Sequence, residues 1–549
     1  MSGVLDLAIH DALVIDGSGA PGAVMDVGVR DGRIVRLVPA GELREAPTRE
    51  RVAAEGLCLA PGFIDGHTHS DISLLASPDA LPKISQGVTT EVIGNCGWST
   101  VPGRHQHSEA FRRVGRPIFG YPETRWTWSD QEGYFSALRR QGTTVNVAAL
   151  VGHGALRASV MGFTDRAPTA AELQEMKVRL DRALRQGALG LSTGLAYAPG
   201  CYASTAEISE ISRVVAKHGG LYATHLRDQG DGLVESIEEA LEIGRSAGVR
   251  VLISHHKTVG KENFGLVQRT LARLDEQHDQ GHETYSDIYP YLAGSSTMLP
   301  LLPPWVLGEG DESLPQRLRN PACRQRIRRD LRDGLSGWEN RARTVGWENI
   351  FVARVASEGN RRLVGQDLAA IARERGVDEV DAMLDLLAEE DGEVSSLIVN
   401  SCEDDLVTVM NHPRTMVGSD GIDFGERPHP RLYGTFPRVL GRYVRDLGAL
   451  TLESAIHKMT GLNAGVFGFK ERGLIALGYL ADLVLFDPGT VADLADYEQP
   501  RRYASGILDV WVNGRRVFRD GRSTGERPGC ILRNNQLSRR SNHVHDPSA

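Results

Sequence analysis

The chain has 549 residues, more than one ordinary domain uses. It is 41% hydrophobic and 24% charged, the composition of a soluble globular protein, and its formal charge of −9 with no long Lys/Arg cluster among aromatics gives nucleic-acid binding no support. No apolar run approaches the roughly 18–20 residues that span a bilayer. The N-terminal MSGVLDLAIHDALVIDG alternates instead of forming a signal-peptide core, and six scattered cysteines (Cys58, Cys96, Cys201, Cys323, Cys402, Cys530) make no CxxC pair. The expectation is a cytoplasmic protein without a disulfide framework.

In chain order, residues 1–60 read as short strands with turns, Asp31-Gly32 being a strong hairpin signal. Apolar runs then alternate with helical stretches such as AELQEMKVRLDRALRQ and LVESIEEALEIGRSAG, as in βα units with a parallel sheet. Eight strands are predicted: GFIDGHTH, TTEVIGNC, VNVAALVGHG, ALGLSTGL, GLYATHLR, RVLISHHK, TYSDIYPY and TMVGSDG. Each runs apolar and ends polar, which suits a (β/α)8 TIM-like barrel whose site lies at the C-terminal strand ends. The barrel is expected over residues 61–464.

The interval from Tyr291 to Thr415 is too long for one βα connection, so an insertion over the barrel mouth is expected around 293–350, acting as a lid. Its arginine-rich stretch Arg317–Arg332 reads as a solvated helix. Beyond the barrel, RGLIALGYLADLVLFDP and SGILDVWVNGRRVFRDGR return to short strands and turns. Residues 465–530 are therefore expected to join 1–60 in a small β-sandwich, with 536–549 a disordered tail.

The strand ends carry the chemistry: His67 and His69, Cys96, His153, His225, His255 and His256, Asp287 and Asp420. Residues i and i+2 of an extended chain share a side, so His67 and His69 can aim at one point, while His256 should face the helical layer. Taken singly, Cys96 reads best as a buried thiol, and His225 and His255 as satisfied barrel histidines. A core has no need of such residues at the same end of five strands, and together they suit zinc. Two ions sharing a bridging ligand would fit. Asp420 could serve as a helix N-cap, but beside a metal it suits the general base that hydrolysis of an amide requires. His153 is expected to support the ligands from behind.

PGFIDGHTHSD, GVTTEVIGNCG, GLSTGLAYAPG, YATHLRD, ISHHK, YPYLAGSS, GSDG and HPRLYGTFPRVL together resemble the D-aminoacylase (N-acyl-D-amino-acid deacylase) branch of the amidohydrolase superfamily, over roughly residues 5–520. The cysteine ending strand two is the most specific element, because many relatives bridge their metals with a carboxylated lysine. The resemblance implies that Cys96, His225 and His255 hold one tight zinc. His67 and His69, sharing Cys96 and Asp420, form a second, weaker metal position. Asp420 is then the general acid/base, Lys257 polarises the scissile carbonyl, and Arg431 pairs with the substrate α-carboxylate. Tyr197, Tyr289 and Ser295 are implied substrate contacts.

The expected reaction is hydrolysis of the amide of a small-molecule N-acyl-D-amino acid to a carboxylate and a free D-amino acid; preference for the D enantiomer rests on the resemblance alone. The loop YPYLAGSSTMLPLLPP has no Lys or Arg, so a neutral or apolar D side chain is expected. The alternatives are an amidohydrolase for another amide (a cyclic amide, a D-peptide or another N-acyl compound) and, remotely, a scaffold barrel without activity. Cys96 in place of a lysine argues against the hydantoinase type, and a scaffold should have lost ligands.

Overall fold

The computed structural model describes residues 3–120, 124–308, 312–423 and 427–534. Its centre is a ring of eight parallel strands in chain order. They are Phe63–Asp65, Val88–Ile93, Asn146–Ala149 with its continuation Val151–Gly152, Gly190–Gly194, Leu221–His225, Arg250–Ile253, Thr284–Ile288 and Thr415–Val417. The third strand breaks at Leu150, whose N–H donates to Ile93 O at 2.9 Å, and so it pairs with the second strand through one half and the fourth through the other. The ring closes beyond the last strand: Asp420 N–H donates to His67 O (2.7 Å) and His69 N–H to Gly421 O (3.0 Å).

These strands are buried on both faces, as a parallel sheet under helices requires. The helix Ala170–Arg185 shows why the covering layer forms where it does. Thr169 and Glu172 exchange the reciprocal bonds of a capping box, and Met176, Leu180, Ala183 and Leu184 make a buried stripe at helical spacing. Helix Leu233–Ala247 ends at Gly248 in the left-handed conformation that glycine tolerates best. No described helix is long and apolar enough to cross a membrane.

Both chain ends enter one nine-stranded sheet, in the order Arg522–Ser523, Arg515–Arg519, Ile507–Val512, Leu483–Phe486, Cys58–Pro61, Leu5–Val14, Ala23–Arg30 and Arg33–Pro39, with Thr48–Ala53 also on Leu5–Val14. The sheet folds over a shared core that includes Leu7, Val29, Ile34, Leu483 and Trp511. Ile34 N–H reaches Tyr479 O at 2.9 Å across the fold. Asp31-Gly32 and Asn513-Gly514 turn with both residues at positive φ, the geometry that matches strand twist in a two-residue hairpin. Cys58–Pro61 passes straight into the first barrel strand through Gly62, where a Cβ would lie 2.2 Å from Thr89.

The inserted segment differs from its expected 293–350 extent. Ala293–Thr297 and Ile350–Arg354 both pair antiparallel with Ser395–Val399, so the segment runs past residue 350 to Val399. Its apolar residues Leu301, Leu318, Ile327, Val352, Leu384 and Leu387 form a core of their own. Residues 317–332 fall on the two helices Leu314–Arg319 and Pro321–Asp333, and Arg324 and Arg328 pair with Asp381. Helix Glu403–Asn411 then resumes the barrel pattern. The tail 536–549 lies outside the described residues.

Candidate metal centre

The ring brings the strand-end residues to one place. His67, His69, Cys96 and Asp420 form one group of buried donors, and Cys96, His225 and His255 form another, the donor atoms of each lying within 4.8 Å of one another. Cys96 belongs to both. Its Sγ is 3.2 Å from His67 Nε2 and 3.6 Å from His255 Nε2. Asp420 Oδ1 is 3.1 Å from His69 Nε2 and 3.5 Å from His67 Nε2. The His225 and His255 rings are 4.4 Å apart.

Three of these residues leave the ordinary backbone regions: Cys96 (φ +53°), His255 (φ +36°) and Asp420 (φ +49°). Such conformations cost on the order of 1–3 kcal/mol each and persist where the surroundings impose them. Here each lies two or three residues past the end of a strand, and its side chain joins the donor groups.

Supporting contacts fix the rings. Both Asp287 oxygens lie 3.1 Å from His67 Nδ1, which leaves Nε2 to face the cysteine, and Asp287 Oδ1 also accepts the His255 N–H at 2.7 Å. One carboxylate therefore sets a donor in each group, the usual arrangement behind metal-binding histidines. Gln229 Nε2 lies 3.1 Å from His255 Nδ1. Lys83 Nζ binds Asp65 Oδ2 (2.6 Å), Ser419 Oγ (2.9 Å) and Thr68 Oγ1 (3.0 Å), and Ser419 N–H donates to Asp65 Oδ1. This buried cluster ties the HxH segment to the residue before Asp420. A Cβ at Gly421 would lie 2.9 Å from Ser419 Oγ and 3.0 Å from Lys83 Nζ, so a side chain there would push on this cluster.

Electrostatics prepare most of the set for a cation. Burial, then Arg341, holds His225 neutral well below the usual histidine range; burial, then Lys257, does the same for His255. Burial raises the Cys96 thiol, but His67 and His69 outweigh it and bring it below a free thiol. Burial also raises Asp420, and the Arg431 guanidinium and the histidines overcome that, so it is a carboxylate. His67 and His69 are the exceptions. Burial disfavours their charge, yet Asp287, Cys96 and Asp420 together favour it strongly at His67, and Asp420 and Cys96 push His69 up to about 9, so each ring holds a proton. Binding a cation at either ring exchanges that proton for the ion.

The residues fit a metal. His225 Nδ1, on the ring whose Nε2 meets Arg341, is buried with no hydrogen-bond partner, a cost of about 1–3 kcal/mol that coordination can offset. Imidazole, thiolate and carboxylate donors are zinc's ligand set.

The implied substrate contacts border the same cavity: Tyr197, Tyr289, Ser295, Lys257 and Arg431. Arg431 Nη2 donates to Ser295 O (3.1 Å), its guanidinium lies over Tyr289 at 4.6 Å, and Nη1 is 3.0 Å from Asp420 Oδ2. Lys257 Nζ is 3.4 Å from His255 Nδ1, and burial pushes its ammonium down to about 8. Tyr197 OH accepts from Ser296 Oγ at 3.0 Å. His256 faces outward as expected, its Nε2 2.8 Å from Thr270 Oγ1 on helix Leu266–Asp279. His153 departs from its expected supporting role: its Nε2 is 3.1 Å from Glu207 Oε1, which also takes Arg157, away from the donors. Sequence reasoning missed Gln229, Lys83 and Arg341. The last reaches His225 Nε2 (3.4 Å) from the inserted segment, and no local pattern joins residues so far apart in the chain.

Residues 50–270 and 329–518 match the amidohydrolase family. The chain is 41% identical to a D-aminoacylase of Alcaligenes xylosoxydans xylosoxydans, over 96% of this chain and 97% of that protein.

The chain belongs to the D-aminoacylase branch of the amidohydrolase family.

This amidohydrolase is also 41% identical to an N-acyl-D-aspartate deacylase of the same organism, over 96% of this chain and 95% of the relative. Among solved structures it resembles the N-acyl-D-glutamate deacylase of Bordetella bronchiseptica, complexed with zinc and a phosphonate mimic of the tetrahedral intermediate. The identity is 39%, the TM-score 0.81, and the match covers 97% of this chain and 100% of that one. An L-hydantoinase of Arthrobacter aurescens, at 15% identity and TM-score 0.54, shares the fold. The protein is thus a metal-dependent amidohydrolase.

Proposed function

We propose that this amidohydrolase performs zinc-dependent hydrolysis of N-acyl-D-amino acids to a carboxylate and a free D-amino acid. The observation that carries the reading is Cys96 shared by two donor groups at the C-terminal ends of the barrel strands, in a chain so similar to deacylases of that substrate class. Cys96, His225 and His255 would hold the tight zinc, with His67, His69, Cys96 and Asp420 forming the weaker position. Zinc, when bound, supplies the Lewis acidity that the acyl carbonyl needs.

The chain's own residues supply the rest. Asp420, anionic and buried, takes a proton from the attacking water and returns it to the departing nitrogen. The Lys257 ammonium stabilises the oxyanion as it develops. Arg431 is suited to the α-carboxylate because its Nε is buried without a hydrogen-bond partner and its guanidinium already borders the donors through Asp420. Tyr197, Tyr289 and Ser295 border the substrate. The segment 293–399 carries both Ser295 and Arg341 to the cavity and acts as a lid over a barrel domain of about 61–464. Six free cysteines support a cytoplasmic setting.

A panel of N-acetyl-D- and N-acetyl-L-amino acids, assayed on zinc-loaded protein, tests the reading. Turnover of D substrates is expected; hydrolysis confined to L substrates or to cyclic amides sinks it. A scaffold role is disfavoured by a donor set with no member missing.

A further inference from the structure

Three cations border the cavity beside the donors, Lys257, Arg341 and Arg431. An N-acyl-amino acid brings only one obligatory negative charge, its α-carboxylate, and Arg431 still has its Nε without a hydrogen-bond partner for it, although its Nη1 meets Asp420. Arg341 differs. It opens the short helix Arg341–Val345 of the inserted segment, and its Nε donates to Glu339 Oε2 at 2.6 Å. Arg341 is 7% exposed and Glu339 3%. The other oxygen, Glu339 Oε1, is buried with no hydrogen-bond partner, so the carboxylate depends on Arg341. Other parts of the wall, Tyr197, Ser295, Ser296 and Ile398, are uncharged.

We propose that Glu339 is a specificity-determining residue: as a built-in counter-ion it occupies the charge of Arg341, so the cavity takes neutral D side chains and turns away acidic ones. An Asp- or Glu-type side chain would have to share one guanidinium with a buried carboxylate, and like charges in a desolvated pocket repel. With Glu339 neutral, Arg341 keeps no carboxylate within ion-pair distance among the described residues, Asp228 acting on it only from farther off, and is open to an acidic side chain. The charge pattern at this pair, more than the shape of the pocket, selects the substrate. The inference rests on the N-acyl-D-amino acid reading above.

The experiment compares kcat/KM for N-acetyl-D-Met, N-acetyl-D-Leu, N-acetyl-D-Asp and N-acetyl-D-Glu on zinc-loaded enzyme. Wild type should favour the neutral pair by about tenfold or more, and Glu339→Gln should raise the acidic-to-neutral ratio by about tenfold, chiefly through KM. Adding Arg341→Met to Glu339→Gln should cancel the gain, and Glu339→Asp, which keeps the charge, should keep the wild-type ratio. A wild type that hydrolyses acidic substrates as well as neutral ones overturns the proposal, even if Glu339→Gln fails to fold. So does a zinc-loaded Glu339→Gln enzyme whose ratio stays within about threefold of wild type. An equal fall in KM for all four substrates would assign Arg341 to the α-carboxylate and overturn it too. A wild type inactive on every N-acetyl-D-amino acid would remove the functional reading along with the inference.

Discussion

At the scale of single residues, Cys96 does what no histidine in the ring could do. A thiolate can serve two ions at once, and here its sulfur lies in both donor groups. Cys96→Ala is expected to reduce bound zinc from about one ion per chain to near none, with activity lost in parallel, as elemental analysis would check. Asp287 acts through others. Asp287→Asn should weaken metal affinity by about 10–100-fold, because His67 then faces a neutral amide, one of whose two groups is a donor, in place of a carboxylate, and a chelator competition would measure it. His105 offers a test away from the site. Burial, then Arg179 and His107, pushes its pKa from the ordinary 6.5 down to about 4. The unfolded chain therefore binds more protons between those values, and stability falls as pH drops from about 6.5 to about 4. His105→Gln should flatten that part of the stability–pH curve in denaturant melts.

At the scale of elements, the seam between the first and eighth barrel strands positions the centre. The strand Thr415–Val417 is only three residues long, so backbone pairing alone fixes little. Lys83, from the short helix Leu81–Ile84, adds side-chain bonds to Asp65, Thr68 and Ser419 across that seam. Lys83→Met leaves the Asp65 carboxylate buried without its cation and should cost about 3–5 kcal/mol, read from the unfolding midpoint. Lys83→Arg should retain more stability than Lys83→Met. The strands and helices themselves were readable in advance, because the apolar runs, the capping box at Thr169 and the Asp-Gly and Asn-Gly turns are local signals. The Lys83 cluster was not, since its partners lie 15 to 336 residues away.

At the scale of the whole molecule, a bound metal would tie together strand ends one, two, five, six and eight. Chelation should lower the melting temperature, and restored zinc should return about 2.7 kcal/mol when its free concentration is a hundredfold above Kd. Reversal by zinc alone, and not by magnesium, is the expected outcome in a thermal scan. The amino-acid sequence by itself determined the barrel, its eight strands, the order of the candidate ligands and the cysteine that marks the branch. Each of these is carried by residues close together in the chain, through periodicity or a short motif. Only the tertiary structure decided that Asp287 serves a donor in each group, that His153 turns to Glu207, that the inserted segment reaches Val399, and that Arg341 arrives beside His225 already paired with Glu339. Those contacts join residues far apart in sequence, and what brings them together is the closure of the ring and the folding of the inserted segment around its own core.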